Sequence, residues 1–108
     1  MKRIPDVGIV GLGKIGHGLA KNLIHAGHRV SVRDIDGDKV AAVVGLGATR
    51  AESARAMARD AEIIVLSLVN AQIAEQVLLG ADGVCSTESR KVSVVIDTTT
   101  MSPQNSRR

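Results

Sequence analysis

The hydrophobic and polar positions change period several times along the chain, and each change marks an element. Val7-Gly8-Ile9-Val10 does not alternate; it is apolar on both faces, as a strand covered by helices on each side must be. It breaks into Gly11-Leu12-Gly13-Lys14-Ile15-Gly16. From there Ile15, Leu19, Leu23 and Ala26 recur at helical spacing, predicting a helix over about residues 13–26 that stops at Gly27. Val30-Ser31-Val32-Arg33 reads as a second strand, followed by the polar turn Asp34-Ile35-Asp36-Gly37-Asp38 and a helix through residues 39–44. After Gly45 and Gly47, residues 48–50 predict a brief edge strand and residues 52–58 a short surface helix. The run from Glu62 to Val69, mostly apolar after Glu62, predicts a buried parallel strand. A helix over 71–79, a turn at 80–83 and a fifth strand over 92–96 complete the pattern.

Strand and helix thus alternate throughout. Right-handed crossovers place the first and fourth strands at the centre, in the order 3-2-1-4-5, giving an open, doubly wound parallel α/β sheet with helices on both faces. The glycine turn, Asp34, residues 68–70 and residues 98–100 then share the carboxyl edge of the sheet, where such sheets bind their ligands.

The glycines at that edge have the spacing Gly-x-Gly-x-x-Gly. In a strand-turn-helix context, Gly11 makes the turn, Gly13 lets a pyrophosphate approach the backbone, and Gly16 lets the helix pack against the strand. The N–H groups and dipole of the new helix then face the negative charge. Asp34 follows at roughly the 20-residue distance where an acid hydrogen-bonds the adenosine ribose and repels a 2′-phosphate. This favours NAD over NADP, although the adjacent Arg33 carries a guanidinium suited to that phosphate. The alternative for Asp34 is a solvated turn acid. Gly8 to Lys14 nearly spells a nucleoside-triphosphate loop, but Ile15 stands where a hydroxyl must hold magnesium.

Composition narrows the classes further. The 108 residues suffice for one domain, 1–108, with a core of Val, Ile, Leu and Ala, because the chain has no Phe, Tyr or Trp. With a formal charge of +3, basic residues scattered among acids and no aromatic platform, nucleic-acid binding is not expected. No apolar run is long enough to cross a bilayer, so a cytoplasmic protein without membrane attachment is expected. The single Cys85 has no internal disulfide partner, and His17, His25 and His28 read as surface residues instead of metal ligands.

The chain resembles the β-hydroxyacid dehydrogenases, which include 3-hydroxyisobutyrate dehydrogenase and tartronate semialdehyde reductase. The matching stretches are Gly11-Leu12-Gly13-Lys14-Ile15-Gly16 with Ala20-Lys21-Asn22-Leu23, then Gly27-His28-Arg29-Val30, and Ile96-Asp97-Thr98-Thr99-Thr100-Met101-Ser102-Pro103. The segment from Leu68 to Gly83 is most similar to the branch containing L-threonate dehydrogenases. The resemblance implies a Rossmann-like domain that takes a nicotinamide dinucleotide, NAD before NADP. It implies cofactor contacts at Gly11, Leu12, Gly13, Lys14, Ile15, Gly16 and Asp34, and at Leu68, Val69, Thr99 and Thr100 toward the nicotinamide, to which the reading of the residues themselves adds Arg33 and Asn70. The chain departs from the family at Ile15 and Val69, where Met and Pro are usual, and at Ile73, where some members place a cofactor-contacting Asn.

In that family a substrate segment, the catalytic Lys and an all-helical second domain come later. No lysine here fits that motif, so no catalytic residue is carried over. The expectation is an oxidoreductase's cofactor portion, truncated before the sixth strand and the helical domain. A small hydroxy acid would be handled only in a full-length context. The competing expectation is a non-catalytic dinucleotide-binding or interaction module, with exposed apolar sheet surface driving homo-oligomer formation.

Overall fold

The computed structural model describes residues 5–68, 71–80, 83, 92 and 94–97. The elements are β1 (Val7–Val10), α1 (Lys14–His25), β2 (Val30–Arg33), α2 (Gly37–Val44), β3 (Thr49–Arg50), α3 (Ala54–Asp60), β4 (Ile63–Leu66), α4 (Ala71–Leu79) and β5 (Val94–Asp97). All strand pairs are parallel, in the order β3-β2-β1-β4-β5. This is the expected doubly wound, Rossmann-like topology. Val10 lies opposite both Arg33 and Leu66, so β1, β2 and β4 end level with one another. That register brings the residues following the three strands to one edge.

Strand alternation sends side chains into two cores. Val7, Ile9, Val30, Val32 and Val65 meet Ala20 of α1 and Val40 and Val43 of α2 on one face. Val10, Ile64 and Leu66 meet Ala54, Met57 and Ala58 of α3 on the other. Ile9, Val32, Ile64 and Leu66 are fully buried, each worth about 1.5–3 kcal/mol relative to an exposed side chain. Without aromatics, Met57 supplies much of the second core's bulk. Its side chain occupies the space a Cβ on Gly8 would need, which explains a glycine inside the central strand.

Several boundaries follow hydrogen bonds that apolar patterning does not register. The Asp36 carboxylate accepts from Asp38 N–H, so α2 starts at Gly37 and not at 39. The Ser53 hydroxyl accepts from Ala56 N–H, moving α3 to Ala54–Asp60 from the expected 52–58. β4 is strand only over Ile63–Leu66, because β1, its partner, ends at Val10; Ser67 N–H makes one last bond to the Val10 carbonyl. β5 pairs Val94 with Ile63, which shifts it to Val94–Asp97 from 92–96. Gly27, with φ +96, ends α1; His28 N–H then reaches the Leu23 carbonyl and Gly27 N–H the Ile24 carbonyl.

The packed face of α1 also differs from the expected one. Ile15 is 59 % exposed and Ala26 is exposed, whereas Gly16 and Ala20 are buried and Leu19, Leu23 and Ile24 pack partly against the core. The close approach of Gly16 to the Gly11 carbonyl sets this rotation and turns Ile15 outward. At the sheet's edge, Val94, Val95 and Ile96 of β5 are all exposed. No helix among the described residues is long and apolar enough to cross a membrane.

Candidate functional site

The site is built from the turn between β1 and α1. Gly11 has φ +99, a conformation that side chains rarely adopt, and a Cβ there would run into the Ser67 carbonyl. Its N–H bonds the Arg33 carbonyl at 2.9 Å, so the turn starts wedged between the ends of β2 and β4. Leu12 is 2 % exposed and anchors the turn in the core. A Cβ on Gly16 would collide with the Gly11 carbonyl, which lets α1 begin directly against the turn.

Gly13 differs from its neighbours. It is the N-cap of α1, with φ −67 and extended ψ, a backbone any residue adopts, and a Cβ there meets nothing within 4 Å. Neither backbone strain nor protein packing requires a glycine at this position. The first turn of α1 also has no capping side chain and no acid, whereas α2 and α3 are capped by Asp36 and Ser53. A helix start needs partners for its leading N–H groups. The open space over Gly13 and the uncapped helix together fit a ligand's oxyanion.

Asp34 stands beside this turn. One carboxylate oxygen accepts from Leu12 N–H at 2.6 Å and the other from Asp36 N–H at 2.8 Å. Arg33 points elsewhere: its guanidinium donates to the Ala51 carbonyl at 3.3 Å and the Glu52 carbonyl at 2.5 Å, tying the end of β2 to the segment after β3. Lys14 and Ile15 are exposed on the first turn of α1, and Leu68 lies half-buried past β4. The structure thus brings Gly11–Gly16, Asp34 and Leu68 to one edge, with Arg33 adjacent but engaged. Val69, Asn70, Thr99 and Thr100 lie outside the described residues, as does Cys85.

Two residues at this edge escape sequence reasoning. The Ser67 carbonyl backs Gly11, a contact that only the register reveals. Ile35 is 104 % exposed beside Asp34. Its signal was an apolar side chain within an otherwise polar turn. Two clefts lie elsewhere: one of 610 Å³ at the amino ends of β1 and β2, lined by Asp6, His28, Arg29 and Arg59, and one of 460 Å³ along α4. Among the described residues no group of His, Cys, Asp or Glu gathers as a metal site; His28 instead pairs its Nδ1 with the Pro5 carbonyl at 2.8 Å.

Fold and edge define a dinucleotide-binding domain. Residues 6–108 match the family described as the NAD binding domain of 6-phosphogluconate dehydrogenase, and the chain belongs to that family. It is 37 % identical over 97 residues to 3-sulfolactaldehyde reductase of Escherichia coli (strain K12), covering 90 % of this chain and 32 % of the relative. It is 36 % identical over 103 residues to 3-hydroxyisobutyrate dehydrogenase of Pseudomonas aeruginosa, covering 95 % and 34 %. Among solved structures, an imine reductase from Myxococcus stipitatus in complex with NADP+ superposes with a TM-score of 0.77 at 25 % identity, covering 95 % of this chain and 35 % of that one. The chain therefore spans about a third of the length of the curated relatives it matches.

Proposed function

We propose that this chain is the cofactor-binding portion of an oxidoreductase that moves hydride between NAD(H) and a small β-hydroxy acid, and that these 108 residues alone are not catalytic. The observation that carries the reading is Gly13, whose missing side chain leaves open space over an uncapped helix start. The pyrophosphate would sit there, held by the leading N–H groups of α1 with the Lys14 ammonium nearby. Asp34 would accept the adenosine ribose hydroxyls, and the exposed Ile35 would offer an apolar surface to the adenine face. Leu68, Val69, Asn70, Thr99 and Thr100 would line the nicotinamide half. When bound, the nicotinamide supplies the hydride chemistry.

The preference for NAD over NADP is supported by two features. A 2′-phosphate would meet the Asp34 carboxylate, and the Arg33 guanidinium that would otherwise balance it is bonded to the Ala51 and Glu52 carbonyls. The hydroxy-acid substrate class rests on the name of one relative, a 3-hydroxyisobutyrate dehydrogenase. A second reading, a non-catalytic binding or interaction module, is favoured by one observation: Val94, Val95 and Ile96 are exposed in succession, so both faces of β5 offer apolar surface.

Gly13→Ala tests the main reading. It should leave folding unchanged and weaken NADH binding by tenfold or more, an order-of-magnitude figure for a blocked close approach. Unaltered NADH affinity in a folded variant would contradict the assignment. Light scattering separates the second reading, which requires self-association or capture of another chain.

A further inference from the structure

Asp34 is placed to do more than contact a ribose. Of the Gly11-Leu12-Gly13 segment, only Leu12 has a side chain, and it is buried in the core. The Leu12 N–H is therefore the backbone handle that fixes how the turn lies. That handle is gripped by an Asp34 oxygen at 2.6 Å, from a residue 22 positions away in sequence. The grip is rigid, because the second Asp34 oxygen is held by Asp36 N–H and the preceding Arg33 carbonyl takes Gly11 N–H. The end of β2 thus holds the turn at two successive amides. A carboxylate has about four lone-pair sites, so two amide bonds leave about two for ribose hydroxyls.

We propose that Asp34 is a positioning residue for the glycine turn: it presets the turn for the pyrophosphate before any ligand arrives and independently of ribose contact. The proposal rests on the reading of the turn as a pyrophosphate cradle. Its consequence is that removing the carboxylate weakens binding of nucleotides that carry no ribose hydroxyls at all. Exchanging Asp34 to alter cofactor preference would then loosen the cradle for NAD and NADP alike.

The test uses ADP and 2′,3′-dideoxyadenosine 5′-diphosphate as probes of the 108-residue chain and its Asp34→Asn variant. Asparagine keeps the shape but offers one oxygen to two amide donors. Dideoxy-ADP should bind the variant about tenfold more weakly than the parent, the scale of one lost charge-assisted hydrogen bond. Equal dideoxy-ADP affinity in parent and variant would overturn the positioning role and leave Asp34 a ribose contact alone. Hydrogen exchange at the Leu12 amide of the ligand-free protein reads the grip without a nucleotide: faster exchange in Asp34→Asn than in the parent is expected, and equal exchange in the two would overturn the proposal. If the parent binds neither nucleotide, the pyrophosphate reading fails, whereas the Leu12 amide still reports whether Asp34 holds the turn. If ADP and dideoxy-ADP bind the parent equally, the ribose contact fails and the positioning role stands.

Discussion

Replacing Gly16 by alanine separates packing from helix propensity within one residue. An alanine in the body of a helix is favoured over glycine by about 0.8–1.0 kcal/mol, so a naive expectation is a stabilised α1. The Cβ at position 16, however, lands on the Gly11 carbonyl, a backbone atom wedged between β2 and β4 that has no rotamer to escape into. Forcing atoms into a packed site costs about 1–3 kcal/mol, and a backbone neighbour belongs at the upper end. The net effect is destabilisation by about 2 kcal/mol, or a fall in Tm of about 8–16 °C for a domain of this size. Gly18 is the internal control. It lies in the same helix with nothing within 4 Å of its virtual Cβ, so Gly18→Ala should raise Tm by several degrees, the scale of about 1 kcal/mol. Thermal unfolding followed by far-UV circular dichroism reads both. A Gly16→Ala melt at or above the parent's would refute the claim that the helix needs glycine there to reach the turn.

Other substitutions probe separate parts of the account. Ser53→Ala removes the cap of α3 and should lower stability by about 1 kcal/mol in urea unfolding; no change would mean that α3 is held by its buried face alone. Leu66→Ala empties a fully buried position and should destabilise by about 2–5 kcal/mol, with a smaller loss pointing to collapse of the second core around the site. Arg33→Met should lower stability by about 1 kcal/mol through the lost carbonyl bonds while leaving the ratio of NADH to NADPH affinity unchanged. A selective loss of NADPH binding would instead make Arg33 a phosphate ligand.

Much of this structure was legible in the chain because apolar runs and glycines report directly on covalent and packing constraints. Val7–Val10 could not be a half-wet strand, and it is the central one. Asp34, just beyond Val30–Arg33, falls at the same edge as the glycine turn because parallel register aligns strand ends, and that placement was visible from spacing alone. What escaped reading depends on contacts between distant residues. Ile15 belongs to the helical repeat, yet the Gly16 contact with Gly11 turns it to solvent. The bonds of Arg33 to the Ala51 and Glu52 carbonyls were not legible, because those partners come from a loop whose position depends on β3 pairing. Gly8 resembled part of a second glycine motif, but its small size serves Met57. The hydrogen bond from Leu12 to Asp34 has no sequence pattern, since any residue at position 12 would supply the same N–H.

The most direct test of the central claim is a titration of NADH and, separately, NADPH into the parent chain and into Gly13→Ala, followed by reduced-nicotinamide fluorescence. With no Trp or Tyr in the chain, the signal comes from the cofactor alone. The account predicts saturable NADH binding by the parent, weaker NADPH binding, and a marked loss of both in a folded Gly13→Ala variant. Binding that Gly13→Ala leaves intact, or a folded parent that binds neither nucleotide, would contradict the assignment of the glycine turn as the dinucleotide cradle.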